Sequence, residues 1–244
     1  MTTLNAIAFN VYPYVCLAVF LMGSLARFDR DQYTWKSDSS QMLRAGQLRW
    51  GSNLFHIGIL FLLFGHTVGL LTPHRVYEPF ISAPAKQLMA IVSGGIAGTV
   101  CFVGLTLLLH RRIADPRIRL TSHRTDLAIL LILWIQLCLG LITLPLSWAH
   151  RADASAMLIL SQYLQGVATL RPDASLLASI GWPFKLHMLL GMTIFLLFPF
   201  SRLVHVWSGF GTLAYLWRAP QVVRSRRLNL PPGHGQPRQP GAGV

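Results

Sequence analysis

Acidic side chains are scarce in this sequence. Only 8 of its 244 residues are Asp or Glu, against 21 Lys and Arg. Charged residues of both signs make up 12%, where a soluble domain carries roughly 25%. That shortage excludes an ordinary soluble globule. The 53% apolar content and mean hydropathy of +0.49 exclude a disordered chain. Cysteine is scarce as well. Cys16, Cys101 and Cys138 each sit inside an apolar run, without disulfide or zinc spacing, and read as small packing residues. The chain has no C-x-x-C-H motif, no cysteine cluster for iron–sulfur, no Rossmann glycines and no Ser/His/Asp set. No internal repeat stands out. What remains is an integral membrane protein.

A helix crosses a bilayer in about 20 apolar residues. Leu4 to Ala26, Trp50 to Pro73, Gln87 to Leu109 and Leu127 to Trp148 are apolar runs of that kind. A fifth starts near Trp182 and runs past Trp207, interrupted only by Arg202. Unsatisfied backbone groups are costly in lipid, so each run should be a helix. The predicted fold is all-α, a five-transmembrane-helix bundle over residues 1–227. Residues 228–244 are Pro/Gly-rich and form a disordered tail. The first run is no cleavable signal peptide, because no positive charge precedes it and a basic cluster follows it. Between the fourth and fifth runs, Met157, Leu158, Leu160, Tyr163, Leu164 and Val167 are spaced as an interfacial helix lying on the membrane.

In a soluble protein the basic excess would point to nucleic acid. Here the arginines fall between apolar runs, so they read as orientation signals beside membrane lipid, with no nucleic-acid partner. Arg27, Arg30, Lys36, Arg44 and Arg49 lie between the first two runs. Arg111, Arg112, Arg117, Arg119 and Arg124 lie between the third and fourth, and Arg202, Arg218, Arg224, Arg226, Arg227 and Arg238 at or beyond the end of the fifth. The opposite side holds only Arg75, Lys86, Arg151, Arg171 and Lys185. The positive-inside rule then places the N-terminus outside (periplasmic) and the C-terminus in the cytoplasm.

Of the nine histidines, His74, His110, His123, His150 and His234 fall at run ends, in loops or in the tail. His56, His66, His187 and His205 fall within spans, on the second and fifth only. Ionisable residues at such depth are functional candidates. The two spans run antiparallel. His56 therefore meets His205 near the inner face, and His66 meets His187 near the outer one. Each pair suits an iron held between two imidazoles, as in a b-type haem. The spacing is uneven. The 18 residues from His187 to His205 make five turns and about 27 Å, while the 10 from His56 to His66 make about 15 Å and fall about 80° short of three turns. Pro199 predicts a kink that would absorb part of the mismatch.

Glycines surround these histidines: Gly58, Gly65 and Gly69 on the second span, Gly94, Gly95 and Gly98 on the third, Gly191 on the fifth. They suit close approach of a porphyrin and equally suit small-residue helix packing. Arg202 and Arg111 or Arg112 are candidates for haem propionates, or snorkel to the interface. A pair of haems is an electron wire, which needs a donor and an acceptor. The donor is most simply a membrane quinol, and Lys86, near the depth of His66, is a candidate to hydrogen-bond it. A snorkelling lysine accounts for Lys86 as well.

Several stretches carry a resemblance: Val11-Tyr12-Pro13-Tyr14, Arg27-Phe28-Asp29-Arg30-Asp31-Gln32-Tyr33-Thr34-Trp35, Gly65-His66, and Phe198-Pro199-Phe200-Ser201-Arg202-Leu203-Val204-His205-Val206-Trp207. Together they resemble the gamma subunit of the membrane-bound respiratory nitrate reductases, over about residues 4 to 227. The resemblance implies a dihaem cytochrome b of the cell inner (cytoplasmic) membrane. His56 and His205 would ligate the haem proximal to the cytoplasmic subunits, His66 and His187 the distal haem, and Lys86 would match the quinol-site lysine. It implies an iron–sulfur beta subunit and a molybdenum-containing alpha subunit as partners. Quinol would be oxidised near His66 and Lys86, its protons released outside, and its electrons passed inward through the two haems. Gly209-Phe210-Gly211-Thr212 departs from the family's pattern, where a more proline-bearing segment is expected. The nearer alternative is a dihaem b subunit of another respiratory complex, of hydrogenase, formate dehydrogenase or sulfite-reduction type. The farther one is a non-haem anchor or transporter.

Overall fold

The computed structural model of the chain describes residues 3–31 and 43–207, all within one compact unit. Helices and turns account for the regular structure, with no strand among the described residues. The first span joins α1 (Thr3–Ala6), a π-type turn (Ile7–Val11) and α2 (Tyr12–Asp31). The second is α3 (Ala45–Leu71), and the short α4 (His74–Tyr77) follows. The third is α5 (Ala83–Ala114), which leads through α6 (Pro116–Thr121) to the fourth, α7 (Arg124–Ala149). After α8 (Ser155–Ala168) and a 3₁₀ turn (Ala174–Ser179), the fifth begins as α9 (Trp182–Leu197). These five spans are long and apolar enough to cross a membrane, as the sequence predicts. The predicted tail, the Gly209–Thr212 stretch, Lys36 and the basic residues from Arg218 onward lie outside the described residues.

Local chemistry sets the ends. Ser82 accepts from the Ala85 N–H ahead of α5, and Asp115 accepts from the N–H groups of Arg117 and Ile118 ahead of α6. Pro84 and Pro116 sit in first turns, where a missing N–H costs nothing.

The spans pack in a row: α3 on α5, α5 on α7, α7 on α9, and α9 on α2. The α3–α5 contact is the most extensive, because glycine lets the two backbones meet. A Cβ at Gly58 would strike Cys101, and one at Gly104 would strike the backbone of Phe55. Helix α3 and the fifth span thus pack on different partners, and their histidines face each other.

The fifth span departs from expectation. It is not one continuous helix from Trp182 to Trp207. Helix α9 stops at Leu197, a 3₁₀ turn covers Phe198–Phe200, and Ser201 is extended (φ −119, ψ 175). A second turn, Arg202–Val204, then leads into His205. Pro199 is the physical reason, since it has no N–H and its ring clashes with the carbonyl one turn back. The five uninterrupted turns between His187 and His205, and the shared face they imply, are therefore not present. The first span holds the break. Arg27 Nη1 donates to the carbonyls of Pro199 (2.7 Å) and Ser201 (3.0 Å). Phe20 stands edge-on to Phe195 and Phe198, and Trp207 Nε1 donates to Ser24 Oγ.

Helix α8 forms where an interfacial helix is predicted, but much of its apolar face packs on protein. Tyr163 is buried, donates to the Phe9 carbonyl at 2.7 Å, and joins Leu160 and Val167 in a cluster with Phe9 and Leu177. Gln165 Nε2 donates to the Leu70 and Thr72 carbonyls, tying α8 to the end of α3.

Candidate functional site

The four span histidines meet two by two. The rings of His56 and His205 have centroids 6.2 Å apart, and those of His66 and His187 are also 6.2 Å apart. The planes cross at 75° in the first pair and 41° in the second. Each Nδ1 lies against a backbone carbonyl: His56 on Ser52 (2.7 Å), His66 on Leu62 (2.7 Å), His205 on Arg202 (2.7 Å) and His187 on Gln136 (3.1 Å). A carbonyl only accepts, so every Nδ1 is the protonated nitrogen and every Nε2 carries the lone pair. That is the usual preparation of a metal-binding imidazole.

The spacing fits a metal between the rings. Two nitrogen–metal bonds of about 2.0–2.1 Å, plus about 1.1 Å from each nitrogen to its ring centre, sum to about 6.3 Å. Among the described residues, no three His, Cys, Asp or Glu side chains gather around one point. Each pair therefore suits a metal whose other ligands arrive with it, as in a porphyrin.

The glycines divide into two sets. Gly58 and Gly98 sit at helix contacts, where a Cβ would strike Cys101 or Leu141. A Cβ at Gly65, Gly69 or Gly94 would meet no atom within 4 Å. Helix packing among the described residues thus accounts for the first set and not for the second, of which Gly65 and Gly69 flank His66 on α3 and Gly94 lies on α5.

His187 is held by a second helix. Gln136 Nε2 on α7 donates to the His187 carbonyl at 3.0 Å, while the Gln136 carbonyl accepts from the ring. A Cβ at Gly140 would come within 3.0 Å of His187 Cε1.

Lys86 is 7% exposed. Its Nζ is buried, has no hydrogen-bond partner among the described residues, and lies 3.5 Å from the centre of the Tyr77 ring. Burial, and then the charge of Glu78, push the Tyr77 phenol above its usual value, so the ring beneath the ammonium is neutral. Arg112 and Arg202 converge on one carboxylate. Arg112 Nη1 donates to Ser122 Oγ (3.0 Å) and to Asp126 Oδ2 (3.5 Å), and Arg202 Nη1 donates to the same Asp126 oxygen (3.5 Å). Arg111 is buried and donates to the Leu43 carbonyl at 2.6 Å.

A family model described as the nitrate reductase gamma subunit matches residues 5–226. The chain belongs to that family. It is 50% identical to the respiratory nitrate reductase 2 gamma chain of Escherichia coli (strain K12), over 92% of this chain and 98% of the relative. It is 48% identical to the respiratory nitrate reductase 1 gamma chain of the same organism, over 93% of this chain and all of the relative. Identity to the nitrate reductase gamma chain of Bacillus subtilis (strain 168) is 37%, over 90% of this chain and 98% of the relative. With five apolar spans, this gamma-family chain is a multi-pass membrane protein.

Several residues at this gamma-family site escape a reading of the sequence. Asp126 reads as an ordinary acidic group in the first turn of a helix, not as the shared partner of two arginines. Arg27 reads as one more orientation charge, whereas it caps the carbonyls at the fifth-span break. Gln136 offers a signal, a lone amide inside an apolar run. Gly140 offers none, because its meaning depends on which ring lies opposite.

Proposed function

We propose that this chain is the quinol-oxidising, dihaem cytochrome b subunit of a respiratory nitrate reductase. The observation that carries the reading is the pair of histidine couples, each with ring centres 6.2 Å apart and each Nδ1 committed to a carbonyl. His56 and His205 hold the inner haem b, and His66 and His187 the outer one. When bound, the haems supply one-electron redox chemistry between quinol and the partner subunits. Gly65 and Gly69, which flank His66 with open space at their Cβ positions, suit a planar group beside the outer pair. Arg112 and Arg202, which converge on the Asp126 carboxylate, are placed to bond a haem propionate.

Lys86 Nζ is a donor without an acceptor among the described residues, and it suits a quinol oxygen. The two protons of quinol leave on the outer side. Electrons leave on the inner side to an iron–sulfur beta subunit, docked against the basic loops, and from it to a molybdenum-containing alpha subunit that reduces nitrate. The chain lies in the inner (cytoplasmic) membrane with its N-terminus outside, an orientation that the distribution of arginine supports.

The test is a pyridine haemochrome assay and a redox titration on the assembled complex. Two b haems per gamma chain are expected, and fewer than one ends the reading. A His66→Ala variant should lose the outer haem and quinol oxidation while keeping the inner haem.

A further inference from the structure

The inner and outer histidine pairs are not held alike. His56, His66 and His205 each give Nδ1 to a carbonyl three or four residues earlier in their own segment. His187 gives its proton to a carbonyl on another helix, that of Gln136 on α7. The same glutamine returns a second bond, from Nε2 to the His187 carbonyl at 3.0 Å. Two bonds between one pair of residues lock α7 to α9 at this ligand. Gly140, one turn beyond Gln136, faces the ring itself, with its absent Cβ 3.0 Å from Cε1. Gly191, one turn beyond His187, faces the glutamine, with its absent Cβ 3.1 Å from Nε2. The brace is therefore a four-residue square, a glycine beside each of its bonded residues. Gln136 Oε1 is buried and has no partner among the described residues. A buried acceptor left unsatisfied is destabilising, and the one side-chain bond of the amide, from Nε2 to the His187 carbonyl, stands against that cost.

We propose that Gln136, Gly140 and Gly191 are positioning residues that set the orientation of the His187 ring, and with it the properties of the outer haem alone. The inference rests on the haem ligation proposed above. Partners of a ligand's second nitrogen orient the ring and adjust its basicity, and axial ligation in turn adjusts the potential of the iron. The fourth span is then a working part of the outer centre without contributing a ligand to it. In the inner pair, by contrast, His56 and His205 give Nδ1 to carbonyls of their own segments.

The test uses the assembled complex in native membranes. Gly140→Ala and Gly191→Ala press on the brace from opposite helices, and Gln136→Leu removes the side-chain bond. Gly95→Ala is the control, since its Cβ would meet only Leu144, at an ordinary 3.6 Å. The readouts are haem content, the low-spin ferric EPR signal of each haem, and a redox titration with the inner haem as internal reference. In the three brace variants the outer signal should move, with about a tenfold change in its reduced-to-oxidised ratio at fixed potential, equivalent to about 59 mV for a one-electron couple. The inner haem and the control should match the unaltered protein. Loss of the outer haem alone is the same effect carried further and supports the proposal. An outer signal unchanged in Gly140→Ala and Gln136→Leu overturns it, as does a change shared equally by both haems. The ligation reading fails separately if His187→Phe keeps both haems.

Discussion

Lys86 shows most plainly how a single side chain can ask for a ligand. A buried ammonium loses several kcal/mol of hydration free energy. The Tyr77 ring, 3.5 Å away, returns about 2 kcal/mol at best. The ring cannot make up the difference, and no hydrogen bond does so among the described residues. A quinol oxygen would. A charge-assisted hydrogen bond of this kind is worth about 1.5–3 kcal/mol. Lys86→Met should therefore lower kcat/KM for quinol by about ten- to a hundredfold. It should leave both haem spectra unchanged, since Lys86 touches no histidine of either pair. Steady-state kinetics with quinol, alongside the oxidised and reduced spectra, check this. Unaltered kinetics would remove Lys86 from the site. Tyr77→Phe should behave as the unaltered protein, because the ring faces the ammonium and the hydroxyl is not needed for that contact.

At the scale of elements, the inner pair depends on a break in the fifth span. His205 reaches His56 from a turn that follows Pro199 and an extended Ser201, and Arg27 holds the carbonyls on either side of that break. Two charge-assisted bonds at about 1.5–3 kcal/mol each are substantial against the freedom of a short turn. Arg27→Met should thus loosen the His205 turn, so that the inner haem is lost or shifts its potential while the outer haem stays as it was. Haem content and a redox titration read this, and an unaffected inner haem would show that the break holds itself. The five spans were legible in the sequence because uninterrupted apolar length is all that a span requires. The meeting of His56 with His205 and of His66 with His187 was legible because antiparallel spans fix which depths face each other. The break was legible only as a kink, since Pro199 is visible in the sequence but Arg27 acts on it from the first span. Asp126, Gln136 and Gly140 were not legible as partners. The sequence tells which spans exist, and their rotation about their axes is decided by close contacts such as Gly58 on Cys101 and Gly140 on His187.

For the whole molecule, the question is which way the electron path points, since direction decides whether turnover charges the membrane. Moving one charge across 100 mV is worth about 2.3 kcal/mol. Oxidising quinol at the His66 end, with electrons leaving at the His205 end, stores that work only if the His66 end faces outward. The loop before α8 and the α6 segment lie at opposite ends of the spans, since α7 separates them. Ala152 and Leu120 are exposed at those two ends. The natural cysteines interfere little, as Cys16 and Cys101 are buried and Cys138 is half-buried within the fourth span. In intact cells producing the assembled complex, a membrane-impermeant maleimide should label Ala152→Cys readily. It should leave Leu120→Cys unlabelled in intact cells, and should label it once the inner membrane is opened in cells that lack the soluble partner subunits. The reverse pattern would put the quinol end inside and remove charge separation from the proposed function, even with both haems in place. The expected pattern would make the outward end of the bundle, with His66, His187 and Lys86, the place where quinol protons enter the outer water.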